Sequence, residues 1–153
     1  MRHGDLSNKV SPRHVIVFEG GLAVLPLEPE KDFQKAYKRK KYWEAIRCWQ
    51  WNTPVLGQIE RIVRTTDLNI EVCTWIGYDL EHHDFALAIG EELDKMNIPV
   101  RSVWASTPFQ LAKDLAYLPD IACIYDPDPD HVLTYGRRGI YLTHPSQIGR
   151  GNS

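Results

Sequence analysis

The sequence predicts a doubly wound, three-layer α/β domain built on a parallel sheet. Three observations predict it. Apolar, β-branched runs recur along the chain, stretches of helical periodicity separate them, and the runs are apolar at most positions, as in strands covered on both faces. The length of 153 residues suits one domain with a sizeable core, and 43% hydrophobic with 25% charged residues is average for a globular chain. The expected layout is a polar arm over residues 1 to 13, one domain over 14 to 145 and a short tail over 146 to 153.

Each element has its own signal. Residues 14 to 23 (HVIVFEGGLA) form a buried strand that ends at the pair Gly20-Gly21, a turn. Residues 31 to 51 have the composition of one long helix. Thr53-Pro54 supplies an N-cap followed by proline at the first helical position, and Val55, Leu56, Ile59, Ile62 and Val63 make the apolar stripe of the next helix. Residues 70 to 76 are the second strand, and 82 to 97 a helix with Phe85, Ile89, Leu93 and Met96 on one face. Residues 100 to 105 are the third strand, and Thr107-Pro108 opens a helix with Leu111, Ala112, Leu115 and Ala116 inward. The fourth strand covers 121 to 125. A helical turn near 130 to 135 stops at Gly136, and 139 to 143 is the fifth strand. The sheet thus has five core strands with a small insertion after the first.

Net charge is −2, from 18 Lys and Arg against 20 Asp and Glu, which gives no basis for bulk attraction to nucleic acid or an anionic membrane. Any such binding comes from a local patch. Residues 31 to 51 carry seven cations (Lys31, Lys35, Lys38, Arg39, Lys40, Lys41 and Arg47) against Asp32 and Glu44, a local +5 that leaves −7 elsewhere. Tyr37, Tyr42, Trp43, Trp49 and Trp51 are interleaved with them. Lys38, Arg39, Lys40, Lys41, Tyr42 and Trp43 are therefore candidate partner-binding residues, and nucleic acid along 35 to 51, a phosphorylated ligand or an acidic protein surface all fit. The competing reading is a solvated helix face with its aromatics packed inward. Residues 79 to 94 carry six acids and no Lys or Arg, so self-association of acidic and basic surfaces into an oligomer is a further outcome.

No apolar run reaches 18 residues, and the start Met1-Arg2-His3-Gly4-Asp5 lacks the apolar centre of a secretory signal; the expectation is a cytoplasmic protein without membrane contact. Cys48, Cys73 and Cys123 form no CxxC pair and read as buried thiols. His82-His83-Asp84 reads as a helix start rather than a metal cluster, because adjacent side chains diverge and Asp84 suits the helix dipole.

In such sheets ligands bind beyond the carboxyl ends of the strands, where strand order reverses. The residues there are Glu19-Gly20-Gly21, Thr74, Ser106-Thr107 and the run from Asp126 to Asp130. No GxGxxG follows the first strand, no GxxxxGK[ST] occurs, and Ser106 and Ser146 lack a GxSxG elbow. The set present, in order and spacing over residues 14 to 143, resembles the haloacid dehalogenase (HAD)-like phosphatase superfamily, a Rossmannoid group. Val17-Phe18-Glu19-Gly20-Gly21-Leu22 lies where that family has DxDGTL, Thr74 closes the second strand, Asp126-Pro127-Asp128-Pro129-Asp130 has the DxxxD spacing, and Gly139-Ile140 matches the entry to the fifth strand.

The departures shape the expectation. In the family the first Asp is the nucleophile and a magnesium ligand; in this frame the position is Val17, which does neither. Glu19 takes the second Asp position with one more methylene, Gly21 replaces Thr, and Thr107, a helix cap, stands where the family's Lys is expected. The shifted frame, with Glu19 as nucleophile, puts Gly21 at the acid position and Leu22 at the glycine. Glu19 and Thr74 are the degenerate catalytic candidates. Asp126 and Asp130 are a weak Mg2+ pair, against a solvated Asp-Pro turn as the plain alternative; an EF-hand loop fails because His131 and Arg137 stand where Gly and Glu belong. The expected function is a degenerate, catalytically inactive HAD-like protein that binds a partner or phosphorylated ligand. The alternative is a magnesium-dependent phosphohydrolase acting on a small phosphorylated substrate or nucleotide.

Overall fold

The computed structural model describes residues 12–77, 83–114, 120–135 and 141–149. Strand β1 (Arg13–Val17) is the centre of a five-stranded sheet with β4 (Asn69–Thr74), β5 (Ser102–Ala105), β6 (Ile121–Tyr125) and β7 (Tyr141–Leu142), in the order β5-β4-β1-β6-β7 and parallel throughout. The chain moves outward from β1 to β5 and then crosses to β6. The order therefore reverses at β1, and the ends of β1, β4 and β6 frame the crevice where α/β sheets bind ligands.

Period-2 alternation along β1 sends side chains to opposite faces of the sheet. Ile16 and the following Phe18 join a core with α3 (Thr53–Thr65) and α4 (Asp84–Lys95), through Val55, Ile59, Ile62, Phe85, Ile89 and Leu93. Val15 and Val17 join a smaller core with Cys73, Ile121, Ile124 and Leu111 of α5 (Pro108–Asp114). Helices thus cover both faces, as the nearly continuous apolar strands require. Two polar residues of the central strands are paired inside: Glu71 receives Arg13 through two bonds of 2.9 and 3.0 Å and Trp104 Nε1 at 2.8 Å, and His14 Nδ1 lies 3.2 Å from Cys123 Sγ. Cys73 and Cys123 are buried and Cys48 is half-buried; burial pushes the Cys123 thiol up to about 11 and the Cys73 thiol higher still.

The insertion after β1 differs from the single helix expected over 31 to 51. It is a short strand β2 (Ala23–Val24), α1 (Glu30–Lys38), α2 (Tyr42–Ala45), a 3-10 turn (Ile46–Cys48) and β3 (Gln50–Trp51), which pairs antiparallel with β2. The inward stripe of α1 is Phe33, Ala36 and Tyr37, and its next positions, 40 and 41, are both lysine. With no apolar residue to continue the stripe, the helix ends in a Schellman motif: Lys40 adopts φ 61°, its amide donates to Tyr37 O at 3.0 Å, and the Lys41 amide donates to Ala36 O at 2.9 Å.

One smaller correction concerns a cap. Asn52, not Thr53, is the N-cap residue of α3; Thr53 and Pro54 open the helix, and the Asn52 side chain instead donates to Gly21 O at 3.0 Å. The expected cap at Thr107 is present, its hydroxyl accepting from the Gln110 amide at 3.0 Å. Positions 1 to 11, His82, Leu115, Ala116, Gly136, Arg137 and the strand entry Gly139-Ile140 lie outside the described residues, as does the tail from 150.

Candidate functional site

β1 stops at Val17, and the chain reverses within five residues. The amides of Leu22 and Ala23 donate to Val17 O and Phe18 O at 3.0 and 2.9 Å. This turn needs both glycines. Gly20 has φ 81°, and a Cβ on Gly21 would lie 2.2 Å from Val17 O. The turn leaves Glu19 as the first side chain beyond the strand that faces the neighbouring strand end. Val17 points into the core with Cys73 and Leu111 and takes no part in the site.

β4 ends beside it at Thr74, which is fully buried. The Thr74 hydroxyl donates to Glu19 Oε2, and the same oxygen accepts from the Trp75 amide at 3.0 Å and the Ile76 amide at 3.2 Å. Three donors on one oxygen make a cradle of the kind that holds an oxyanion. The group filling it is the chain's own carboxyl. Glu19 Oε1 is buried without a hydrogen-bond partner among the described residues. Burial raises the Glu19 pKa by more than its hydrogen bonds lower it, so the group keeps its proton to higher pH than an ordinary glutamate.

The third strand end, β6, delivers Asp126, which is 1% exposed. Its Oδ1 accepts from the Asp128 amide at 3.0 Å and its Oδ2 lies 2.9 Å from His131 Nδ1. Asp128 repeats the pattern one step on, accepting from the Asp130 amide at 2.9 Å, and its Oδ2 lies 3.5 Å from His131 Nε2. The Asp-Pro run is therefore a ladder of side-chain turns leading into α6 (Pro129–Tyr135). Burial raises the Asp126 pKa, against the pull of the Asp128 amide and His131. The His131 ring stands against the Trp75 ring at 4.8 Å, which ties this group to the Glu19 cradle.

The structure thus brings Glu19 and Thr74 into contact and places Asp126 one edge-on ring contact away. Asp130 is exposed. The arrangement does not suit the Mg2+ pair: both Asp126 oxygens already face hydrogen-bond donors, one of them an imidazole, and among the described residues no group of three His, Cys, Asp or Glu side chains is arranged to hold a metal ion. Sequence reading missed His131, Trp75 and the two amides of the cradle. His131 was legible in principle. Pro129 opens a helix, so His131 lies in its first turn and can fold back on the strand-end aspartate.

The partner-binding candidates divide. Lys38, Arg39, Lys40 and Lys41 are exposed. Tyr42 is 8% exposed and packs on Tyr37 at 5.3 Å, and Trp43 is half-buried with its indole donating to Glu91. The aromatic half of that expectation is corrected: Phe33, Tyr37, Trp49 and Trp51 join Phe18 and Phe85 in one ring cluster, because the insertion needs an apolar face to sit on the domain. Trp43 meeting Glu91 also satisfies within one chain part of the contact between basic segment and acidic helix. Among the described residues no helix is long and apolar enough to cross a membrane.

Comparison with family models, curated proteins and solved structures finds no match for this chain. The functional reading therefore rests on the geometry.

Proposed function

We propose that this chain is a degenerate HAD-like protein that has given up phosphoryl transfer and works by binding through the exposed cations of its insertion. The observation that carries the reading is Glu19 in the cradle of Thr74, Trp75 and Ile76. In the HAD-like frame the nucleophile's position is Val17, and Thr74 closes the second strand. Here Glu19, rather than Val17, has that neighbour, and its extra methylene carries the carboxyl into the space a phosphoryl oxygen would need. A nucleophile must also be ionised and free, whereas this carboxyl is held by three donors and burial favours its protonated form. The acidic residues after β6 are spent on the turn ladder and on His131, and no step through a metal is derived from them.

Turnover tests the reading. The purified chain with magnesium is expected to leave p-nitrophenyl phosphate and common sugar and nucleoside phosphates intact; loss of a working nucleophile removes on the order of 10⁶ in turnover where it has been measured in other enzymes. Magnesium-dependent hydrolysis above about 0.1 per second that vanishes in Glu19→Gln would overturn it and establish the phosphohydrolase instead.

A further inference from the structure

Resting on the binding reading above, we infer that the outer face of α1 and the turn after it bind the phosphate backbone of nucleic acid, without regard to base sequence. Lys31, Lys35 and Lys38 follow the spacing i, i+4, i+7 and form one stripe along the helix, about 10 Å long at 1.5 Å per residue. Arg39, Lys40 and Lys41 continue it past the helix end, where the Schellman turn projects them. All six are exposed, and among the described residues none has an ion-pair partner. Unpaired cations in a row are the electrostatic footprint of a polyanion site.

Three features select the partner. Every exposed residue between 30 and 48 is charged or polar, and the aromatics there are buried or half-buried against the core, so the face lacks the exposed apolar and aromatic anchors on which protein interfaces depend, while lysine is depleted at such interfaces. The same packing removes the stacking platform that single-strand binders use, so duplex and single strand bind alike through phosphates. A single small phosphate is disfavoured as well. The cleft of about 240 Å³ among Lys35, Arg39 and Lys41 also holds Asp32 and Glu44, so the positive charge is spread along the helix rather than closed around one anion. At about 3.4 Å of axial rise per phosphate the lysine stripe faces roughly three phosphates of one strand, and the cations beyond it add about one more.

Fluorescence anisotropy with a labelled 20-base-pair duplex of arbitrary sequence tests this, with polyglutamate of similar length as the second probe. About four contacts predict that log K falls with log salt at a slope of about −3 to −4, a loss on the order of 10²-fold from about 50 to 200 mM salt. Lys31→Gln/Lys35→Gln/Lys38→Gln is expected to lower that slope to about −1 with an unchanged melting curve, since exposed unpaired charges contribute little to stability. Arg61→Gln/Arg64→Gln/Lys95→Gln, off the stripe, is expected to bind as wild type. Duplex binding by the lysine triple variant that keeps the wild-type affinity and salt slope overturns the inference. Capture of polyglutamate but not duplex also overturns it and leaves the binding reading standing; capture of neither, by a folded chain at about 50 mM salt, removes both.

Discussion

Glu19 shows how one methylene redirects a site. An aspartate at this position would stop short of the Thr74 hydroxyl and leave the Trp75 and Ile76 amides to a ligand; the glutamate reaches them and satisfies them internally. That internal occupancy has a stability signature. Burial raises the folded-state pKa of Glu19, so as pH rises from the ordinary glutamate value of about 4.3 the unfolded chain loses its proton first and gains stability relative to the folded one. The wild type therefore loses stability over the window between the unfolded and folded pKa values, and the loss levels off above the latter. Glu19→Gln cannot ionise and escapes it. Urea unfolding across pH 4 to 8 is expected to show Glu19→Gln gaining on wild type as pH rises. A constant difference at all pH values would mean that Glu19 titrates normally in the folded chain. His14 has the opposite sense: burial lowers its pKa, so its contribution is lost as pH falls through the ordinary histidine value, and the two residues are separable by the direction of the pH change.

The elements themselves were legible to different degrees. The parallel strands and the helices α3, α4 and α5 follow from apolar periodicity, because in a two-sided sheet burial and periodicity are the same fact. The insertion was not. Its composition fits a helix from 31 to 51, but composition does not register that the inward stripe of Phe33, Ala36 and Tyr37 runs out at Lys40 and Lys41, nor that Trp49 and Trp51 must pack on Phe18 at 4.9 and 6.0 Å. The second Schellman turn, at the end of α4, was not read either: the helix was expected to run to Asn97, and it ends at Lys95. Asn97 at φ 60° is a residue that tolerates the left-handed region, followed by Ile98, whose amide donates to Leu93 O at 2.9 Å. Lysine at the equivalent position of α1 tolerates it less. Lys40→Gly is expected to stabilise the fold by about 0.5–1 kcal/mol, a rise in Tm of about 2–3 °C, after the greater flexibility of glycine in the unfolded chain is counted. A fall in Tm would show that the Lys40 side chain stabilises the turn by more than its backbone conformation costs.

At the scale of the whole molecule, chain order explains why the candidate site lies where it does. The strand order reverses at β1, so Glu19, Thr74 and Asp126, far apart in sequence, end at one rim, and this convergence was readable once the strands were in order. Which of Val17 and Glu19 reaches the rim was not readable. It depends on where β1 stops, and β1 stops at the tight Gly20-Gly21 turn rather than where a motif spacing would place it. The result is a molecule with two anion-directed regions in different states: a rim cradle filled from within, and an insertion whose cations have no ion-pair partner among the described residues. The internal filling of the rim is the central claim, and backbone amide NMR of the wild type and Glu19→Ala, titrated with inorganic phosphate, tests it most directly. The wild type is predicted to show no saturable shift at the Trp75 and Ile76 amides, whereas Glu19→Ala, with the cradle emptied, shows one at both. Saturable shifts at those two amides in the wild type would contradict the account.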